Sequence, residues 1–385
     1  MSAVATITEQ RSARLDALRG LALALVLLYH LNLLGVGWVG VQLFFVLSGF
    51  LITRQLLELR ARRPFGEYLK RFHGRRLLRI FPVYFLYLLV LLACLPLLPA
   101  SQHEAVATQW PYAASFSYNW RGMTRHHEPT WFLDHFWSLA VEEQFYLVWP
   151  LLLYLVPRRG LPYLLAALAL AGPLLRWLVH RSWPLTGLAD PGALPYAVGV
   201  CTLSQLDAFA LGGLLCFLAE PLRRLRAPLA LLLIALLLTW LAGALVNGWG
   251  LAPLVPRGAW FSLGYPNTLP QQGQFLWGYT LINAVSALAV GLAAVRGSGA
   301  GGLPGQAWLA GLGRLSYSGY ILHFPLAHLS SPAIYRIHEI TGAPLLWSTW
   351  LFLPLYLSLL LGLCLLIREL YERPLLRLKD RWFPL

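Results

Sequence analysis

The 385-residue chain is 58% hydrophobic and only 12% charged, with a formal net charge of +14. Soluble domains carry about 25% charged residues, so the composition excludes an ordinary soluble fold. Stretches of ~10 residues alternating polar and apolar are missing, which argues against a transmembrane barrel.

Apolar runs near span length recur at 17–34, 39–57, 80–98, 137–156, 161–179, 203–219, 228–246, 276–295, 315–333 and 346–367. Each can cross ~30 Å of hydrocarbon. The expected fold is all-α: a polytopic bundle of about ten transmembrane helices with both termini cytoplasmic. In that orientation most of the 30 Lys and Arg residues lie inside, and only Arg121, Arg125, Arg176, Arg181, Arg257 and Arg336 lie outside. This is the positive-inside pattern. It turns the basic excess toward anionic lipid or an anionic metabolite rather than nucleic acid. The first run is too long for a signal peptide, and no small-residue cleavage site follows it. Cys94, Cys201, Cys216 and Cys364 form no CxxC pair and read as small buried side chains.

The first span, "RGLALALVLLYH", carries Arg19 and His30 at its ends. Eleven residues at about 100° each return to the same face within ~20°, with a rise of about 16 Å. One stripe thus joins a cation near the inner interface to an imidazole in the outer half. Ionisable groups inside a membrane mark function; an arginine that snorkels and a histidine satisfied by a neighbour is the structural alternative.

Before span three, "KRFHGRRLLRIFP" places Arg75, Arg76 and Arg79 within about one turn on the inner side. Guanidinium forks recognise phosphate; an ordinary positive-inside loop has the same look. The outer loop at 99–136 is rich in Trp, Tyr, His and Ser, and the one at 247–275 in Gly, Pro, Trp, Asn and Gln. Both suit sugar or headgroup contact, or plain interfacial anchoring. His126, His127, Glu128, Asp134 and His135 fit no zinc spacing, so no metal is expected. "RGSGAGGLPGQ" (296–306) reads as a flexible inner loop and not a P-loop, since no GK[ST] follows.

"FWSLAVEEQFYLVWP" opens span four from outside and sets Ser138, Glu142 and Tyr146 on one face, with Glu143 turned about 100° away. Glu142 is expected at the depth of His30, where it would pair with the imidazole and orient it as a general base. A purely structural buried pair is the other reading.

These motifs resemble the acyltransferase 3 family of membrane O-acyltransferases. "RLDALRGLALALVLLYH" is similar to its opening Arg-x10-His helix, "GVQLFFVLSGFLIT" to its second helix, "GRRLLRIFP" to its Arg-x-x-Arg loop, and "WSLAVEEQFYLVWP" to its WSLxxExxFY signature. "LDAFALGGLLC" and "GRLSYSGYILHFP" resemble two later landmarks. The resemblance implies one transmembrane domain over residues 1–385 without an appended soluble domain, in the cell membrane, bacterial inner membrane foremost. It implies acyl transfer, most often acetyl, from cytoplasmic acyl-CoA as co-substrate to a hydroxyl of a sugar, a glycan or a glycosylated small molecule, with no bound cofactor.

On that reading His30 is the base and Glu142 its partner, while Arg19, Arg75, Arg76 and Arg79 hold the CoA nucleotide. Gln42, Ser138, Tyr146, Asp207, Tyr320 and His323 are candidates for acceptor or oxyanion contacts. Asp207 and His323 equally suit structural hydrogen bonding between helices. Two departures stand out: Gln42 replaces a common Asp, and Gln205 replaces a frequent Arg. A transporter or flippase is the rival class, since intramembrane Arg, His and Glu also line substrate paths.

Overall fold

The computed structural model describes residues 3–190, 192–225, 228–250, 273–295 and 305–384, and among them every regular element is helical. In chain order these are α1 (Ala3–His30), α2 (Val39–Arg60), α3 (Phe65–Ala93), α4 (Ala100–Ala114), α5 (Tyr118–Gly122), α6 (Phe136–Leu155) and α7 (Leu161–Ser182). There follow α8 (Leu194–Val200), α9 (Leu206–Leu214), α10 (Ala219–Arg223), α11 (Pro228–Gly250) and α12 (Gln274–Val295). The last five are α13 (Gln306–Arg314), α14 (Ser316–Leu329), α15 (Ser331–Thr341), α16 (Leu345–Ile367) and α17 (Arg373–Trp382).

Among the described residues five segments are long and apolar enough to cross a membrane: Val39–Arg60, Phe65–Ala93, Leu161–Thr186, Gln274–Val295 and Leu345–Lys379. A sixth exists if Leu194–Val200 and Thr202–Leu214, bent by 66° where they meet, are one broken span. Fewer elements thus meet the test than the ten runs expected from hydropathy. α6 has the length, but Glu142, Glu143 and Gln144 dilute its apolarity. The run at 315–333 is divided between α14 and α15 at Ser330. The outer stretch at 99–136 is not simply a loop, since it contains α4 and α5. The loop read at 247–275 and the Gly-rich stretch at 296–306 lie largely outside the described residues.

Two glycine contacts set the frame. A Cβ on Gly20 of α1 would stand 1.9 Å from Leu309 O, and one on Gly313 of α13 would stand 1.8 Å from Asp16 O. α1 and α13 therefore touch backbone to backbone, as small residues permit in a membrane. α2 and α9 meet the same way, with Gly49 against Phe209 O and Gly212 against Val46 O. Arg19 adjoins the first contact and Ser48 the second, so both side chains spring from backbone held close against a neighbouring helix.

The end of α1 is equally specific. Asn32 takes a left-handed backbone, φ 56°, a conformation that asparagine tolerates. Leu33 N–H donates to Leu28 O at 2.8 Å and Asn32 N–H to Tyr29 O at 2.9 Å. This crossed pair is a Schellman stop, and it makes His30 the last helical residue of α1.

Candidate active site

Two cavities lie end to end beside α1. The first, ≈ 90 Å³, is lined by Arg19, Arg76 and Arg79 together with Ser48, Ser138, Glu142, Glu143, Tyr146, Tyr317 and Tyr320. The second, ≈ 280 Å³, is lined by Tyr29, His30, Trp38, Gln42, Asp134, His135, Trp137, Tyr196, Tyr279, Tyr320 and Phe324. They share Val41 and Tyr320. At that shared wall Ser138 Oγ and Tyr320 Oη are hydrogen-bonded at 2.5 Å. Arg19 and His30 thus open into the two cavities from one helix, as the eleven-residue spacing predicts.

The basic end is built by α3. The segment read as a loop, 70–79, is helical from Phe65 onward. Arg76 and Arg79, three apart, share a face and both line the basic cavity. Arg75, turned about 100° from Arg76, does not line it: its guanidinium donates to Phe383 O at 2.7 Å, beyond α17. Arg75 instead reaches an adjoining cleft of ≈ 240 Å³, shared with Arg54, Arg76, Arg79 and Lys379. Arg76 donates to Gln55 Oε1 at 3.2 Å and stands 5.1 Å over the Tyr146 ring. Arg19 pairs with Asp16 at 3.2 Å.

Glu142 does not reach His30. Its Oε1 accepts from the hydroxyls of Ser48 and Tyr146, and it faces the basic cavity with Glu143. The depths differ because α1 ends at His30, whereas Glu142 lies six residues inside α6, about 9 Å from its start. The residue that shares a cavity with His30 at this end of α6 is His135, one position before the helix. His30 Nδ1 lies 3.0 Å from Val26 O and 3.0 Å from His323 Nε2. His323, fully buried, places its Nδ1 2.6 Å from Tyr320 O. The partner of His30 is therefore the second histidine and not the carboxylate.

His135 was legible only as a poor metal ligand. It is 3% exposed, its Nε2 lies 2.9 Å from Ile321 O, and its ring centre is 5.4 Å from that of His323. The signal that could have found it is its place directly ahead of the "FWSLAVEEQ" motif. Among the described residues no group of three or more His, Cys, Asp or Glu is placed to hold a metal.

Gln42, 1% exposed, lines the aromatic cavity. Ser138, Tyr146 and Tyr320 line the basic one. Asp207 lines neither. It is bound by Arg176 at 2.9 Å, by Thr280 Oγ1 at 2.6 Å and by Asn283 Nδ2 at 3.1 Å, and the Asp207–Arg176 pair is wholly buried. The expectation that Asp207 contacts an acceptor gives way to its structural alternative, because Arg176 on α7 satisfies it. Gln205 is likewise buried, its amide donating to Gly199 O.

On the wall of the aromatic cavity, Asp134 accepts from Tyr118 Oη at 2.8 Å and from Thr130 N–H at 3.1 Å, with His127 Nε2 at 3.6 Å. Burial pushes the Asp134 carboxyl up to about 6 and the His127 imidazole down to about 4. The His127 ring stacks on Tyr196, which lines the same cavity.

The acyltransferase domain family matches residues 12–369. The putative peptidoglycan O-acetyltransferase YrhL of Bacillus subtilis is 27% identical over 350 residues, covering 86% of this chain and 50% of that protein. The peptidoglycan O-acetyltransferase OatA of Listeria monocytogenes is 35% identical over 153 residues, 35% of this chain and 23% of that protein. A putative O-acetyltransferase of Staphylococcus aureus is 35% identical over 154 residues, 36% of this chain and 24% of that protein. The chain spans half or less of each relative's own length. No solved structure matches it. The matched stretch runs from before Arg19 to beyond His323 and takes in both cavities, and the chain belongs to the acyltransferase 3 family.

Proposed function

We propose that the protein is an integral membrane O-acyltransferase. It moves an acyl group, acetyl by analogy with its relatives, from acyl-CoA at the basic end to a sugar hydroxyl at the aromatic end. The observation that carries this reading is the shared wall: Arg19 and His30 open into separate cavities that meet at Val41 and Tyr320. The basic end faces the cytoplasm, where positive-inside sorting puts it. The ten-span topology with both termini inside belongs to the same proposal, as does placement in the cell membrane.

Arg19, Arg76 and Arg79 bind the phosphates of the donor as charge-assisted forks. Arg75 and Lys379 line the adjoining cleft and hold its outer part. The pantetheine arm then carries the thioester toward Tyr320. Trp38, Trp137, Tyr196 and Tyr279 give the second cavity the apolar faces on which a pyranose ring packs, with polar groups between them to orient it. His30 Nε2 takes the proton of the acceptor hydroxyl as its oxygen attacks the thioester carbonyl. As the thioester reaches the Ser138–Tyr320 contact, the Tyr320 hydroxyl turns its hydrogen from Ser138 to the resulting oxyanion. Collapse expels the CoA thiolate, which recovers the proton from His30 and leaves the ester. An acyl-imidazole at His30 is a second route through the same atoms. The names of the relatives make peptidoglycan the first acceptor to test.

The bend between α8 and α9 favours one rival, since broken helices mark transporter sites. The first charged side chain after that break, Asp207, is already neutralised by Arg176. The two readings separate in one assay. Protein in nanodiscs, given radiolabelled acetyl-CoA and peptidoglycan fragments or other envelope glycans, should release CoA and label the glycan, and His30→Ala should abolish both. Glycan movement across vesicles without CoA release would favour transport, and full turnover by His30→Ala would remove His30 from the mechanism.

A further inference from the structure

Hydrogen-bond partners fix where the protons sit on three neighbouring imidazoles. His323 Nδ1 faces the carbonyl of Tyr320 at 2.6 Å. A carbonyl only accepts, so Nδ1 carries the hydrogen and, in a neutral ring, Nε2 is a bare lone pair. His30 Nδ1 faces that lone pair and the carbonyl of Val26, both at 3.0 Å. Two acceptors oblige His30 Nδ1 to carry the hydrogen, which leaves His30 Nε2 bare. His135 Nε2 faces the carbonyl of Ile321 at 2.9 Å, so its hydrogen is there and its Nδ1 is bare. That Nδ1 is buried and has no hydrogen-bond partner among the described residues, in a side chain that lines the aromatic cavity. A buried unsatisfied acceptor costs about 1–3 kcal/mol, a penalty that a bound donor would remove.

The aromatic cavity is therefore lined by two imidazoles that each keep a bare nitrogen, His30 at Nε2 and His135 at Nδ1, on rings that both pack against His323, with centres 4.9 and 5.4 Å from it, and against Phe324, with centres 4.6 and 5.5 Å from it. A group able to satisfy both must bring two hydrogen-bond donors held close together. The geometry points to a diol site: His135 accepts a hydrogen bond from a hydroxyl next to the one that His30 deprotonates. The substrate class is then a sugar with two neighbouring free hydroxyls, which the N-acetylated, ether-substituted and linked positions inside a peptidoglycan strand do not offer, so the inference points to another envelope glycan or a glycosylated small molecule. A sugar whose neighbouring oxygen is already alkylated or acylated brings only an acceptor and leaves His135 unsatisfied. His135 touches substrate on this account, and His323 is a positioning residue that keeps the reactive lone pair of His30 on the cavity side.

This rests on the proposed sugar acceptor but not on the acyl donor, so the test omits the donor. Equilibrium binding of a radiolabelled methyl glycoside with adjacent free hydroxyls is compared, in nanodiscs, with that of its monodeoxy analogue. The wild-type protein should bind the deoxy sugar about tenfold more weakly, the loss of one hydrogen bond that leaves a buried acceptor bare. His135→Gln keeps a donor toward Ile321 O but lacks an acceptor at Nδ1, and should bind both sugars alike. His135→Asn, which returns an acceptor near the Nδ1 position, should restore the preference. Equal binding of the two sugars by the wild-type protein overturns the inference, as does a preference that survives His135→Gln. Either result leaves acyl transfer itself standing, and failure of CoA release in the nanodisc assay leaves this binding result standing.

Discussion

His30 and His323 are joined side chain to side chain at 3.0 Å across 293 residues of sequence, and His323 lines neither of the two cavities beside α1. Its influence on chemistry has to pass through His30. Replacing His323 with leucine removes one of the two acceptors that hold the His30 hydrogen on Nδ1 and leaves Val26 O alone to do so. Misplacing a base's tautomer is severe in other enzymes, and kcat should fall by about 10²-fold or more. His323→Gln, whose Oε1 can accept the same hydrogen, should recover part of it. Histidine-labelled nitrogen NMR reads the tautomer directly: bare His30 Nε2 in the wild type, and a mixture in His323→Leu. Undiminished kcat in His323→Leu would remove the positioning role.

Arg75 and Arg76 are neighbours in sequence with different work. Arg76 faces the basic cavity, while Arg75 holds Phe383 O. Charge-assisted bonds are worth about 1.5–3 kcal/mol, so Arg76→Ala should raise KM for the acyl donor by roughly tenfold to a hundredfold with a smaller change in kcat. Arg75→Ala should raise it less, and should increase proteolysis beyond α17 because it frees that anchor. Equal KM effects would return Arg75 to the donor cavity.

Asp207 and Arg176 should behave as a structural pair. Both side chains are fully buried, and removing one partner of such a pair costs ~3–5 kcal/mol. Asp207→Ala should lower the unfolding temperature in detergent sharply. A Gly172→Ala change should destabilise through the same group, since its Cβ would stand 2.5 Å from the Asp207 carboxylate. A stable Asp207→Ala protein with a selective loss of acceptor binding would restore the site role set aside above.

Stability between pH 4 and 7 should report Asp134. Its carboxyl is raised to about 6 from 3.8, so its contribution is fully present below pH 3.8 and is lost as the pH climbs through 6. His127, lowered to about 4 from 6.5, works in the opposite sense: its contribution is present above pH 6.5 and is lost as the pH falls through 4. The comparison of Asp134→Asn with wild type cancels the His127 contribution. The variant should gain on the wild type as the pH rises from 4 to 7, measured by thermal unfolding at each pH. Parallel curves would mean that Asp134 is not desolvated.

Much of this was legible because periodicity along one helix is a local property. The Arg19–His30 stripe needs only the α-helical repeat, and most boundaries of the long apolar helices follow from hydropathy. What failed was anything that required knowing where one helix lies relative to another. Glu142 was matched to His30 by counting from opposite ends of two spans, but Asn32 stops α1 at His30 and sets that depth. The basic segment at 70–79 was read as a loop because charge hid its helical continuity with the apolar run after it. His323 meets His30, and His135 meets His323, only through tertiary packing, so no spacing within a single element announces them.

The hydrogen bond between Ser138 and Tyr320 divides what would otherwise be one passage. An enzyme that works from both sides of a bilayer risks becoming a leak, and a continuous file of water from the arginines to the histidines would drain the electrochemical gradient. On the proposed reaction, with that contact closed at rest, each substrate enters from its own side and the acyl group alone has to cross.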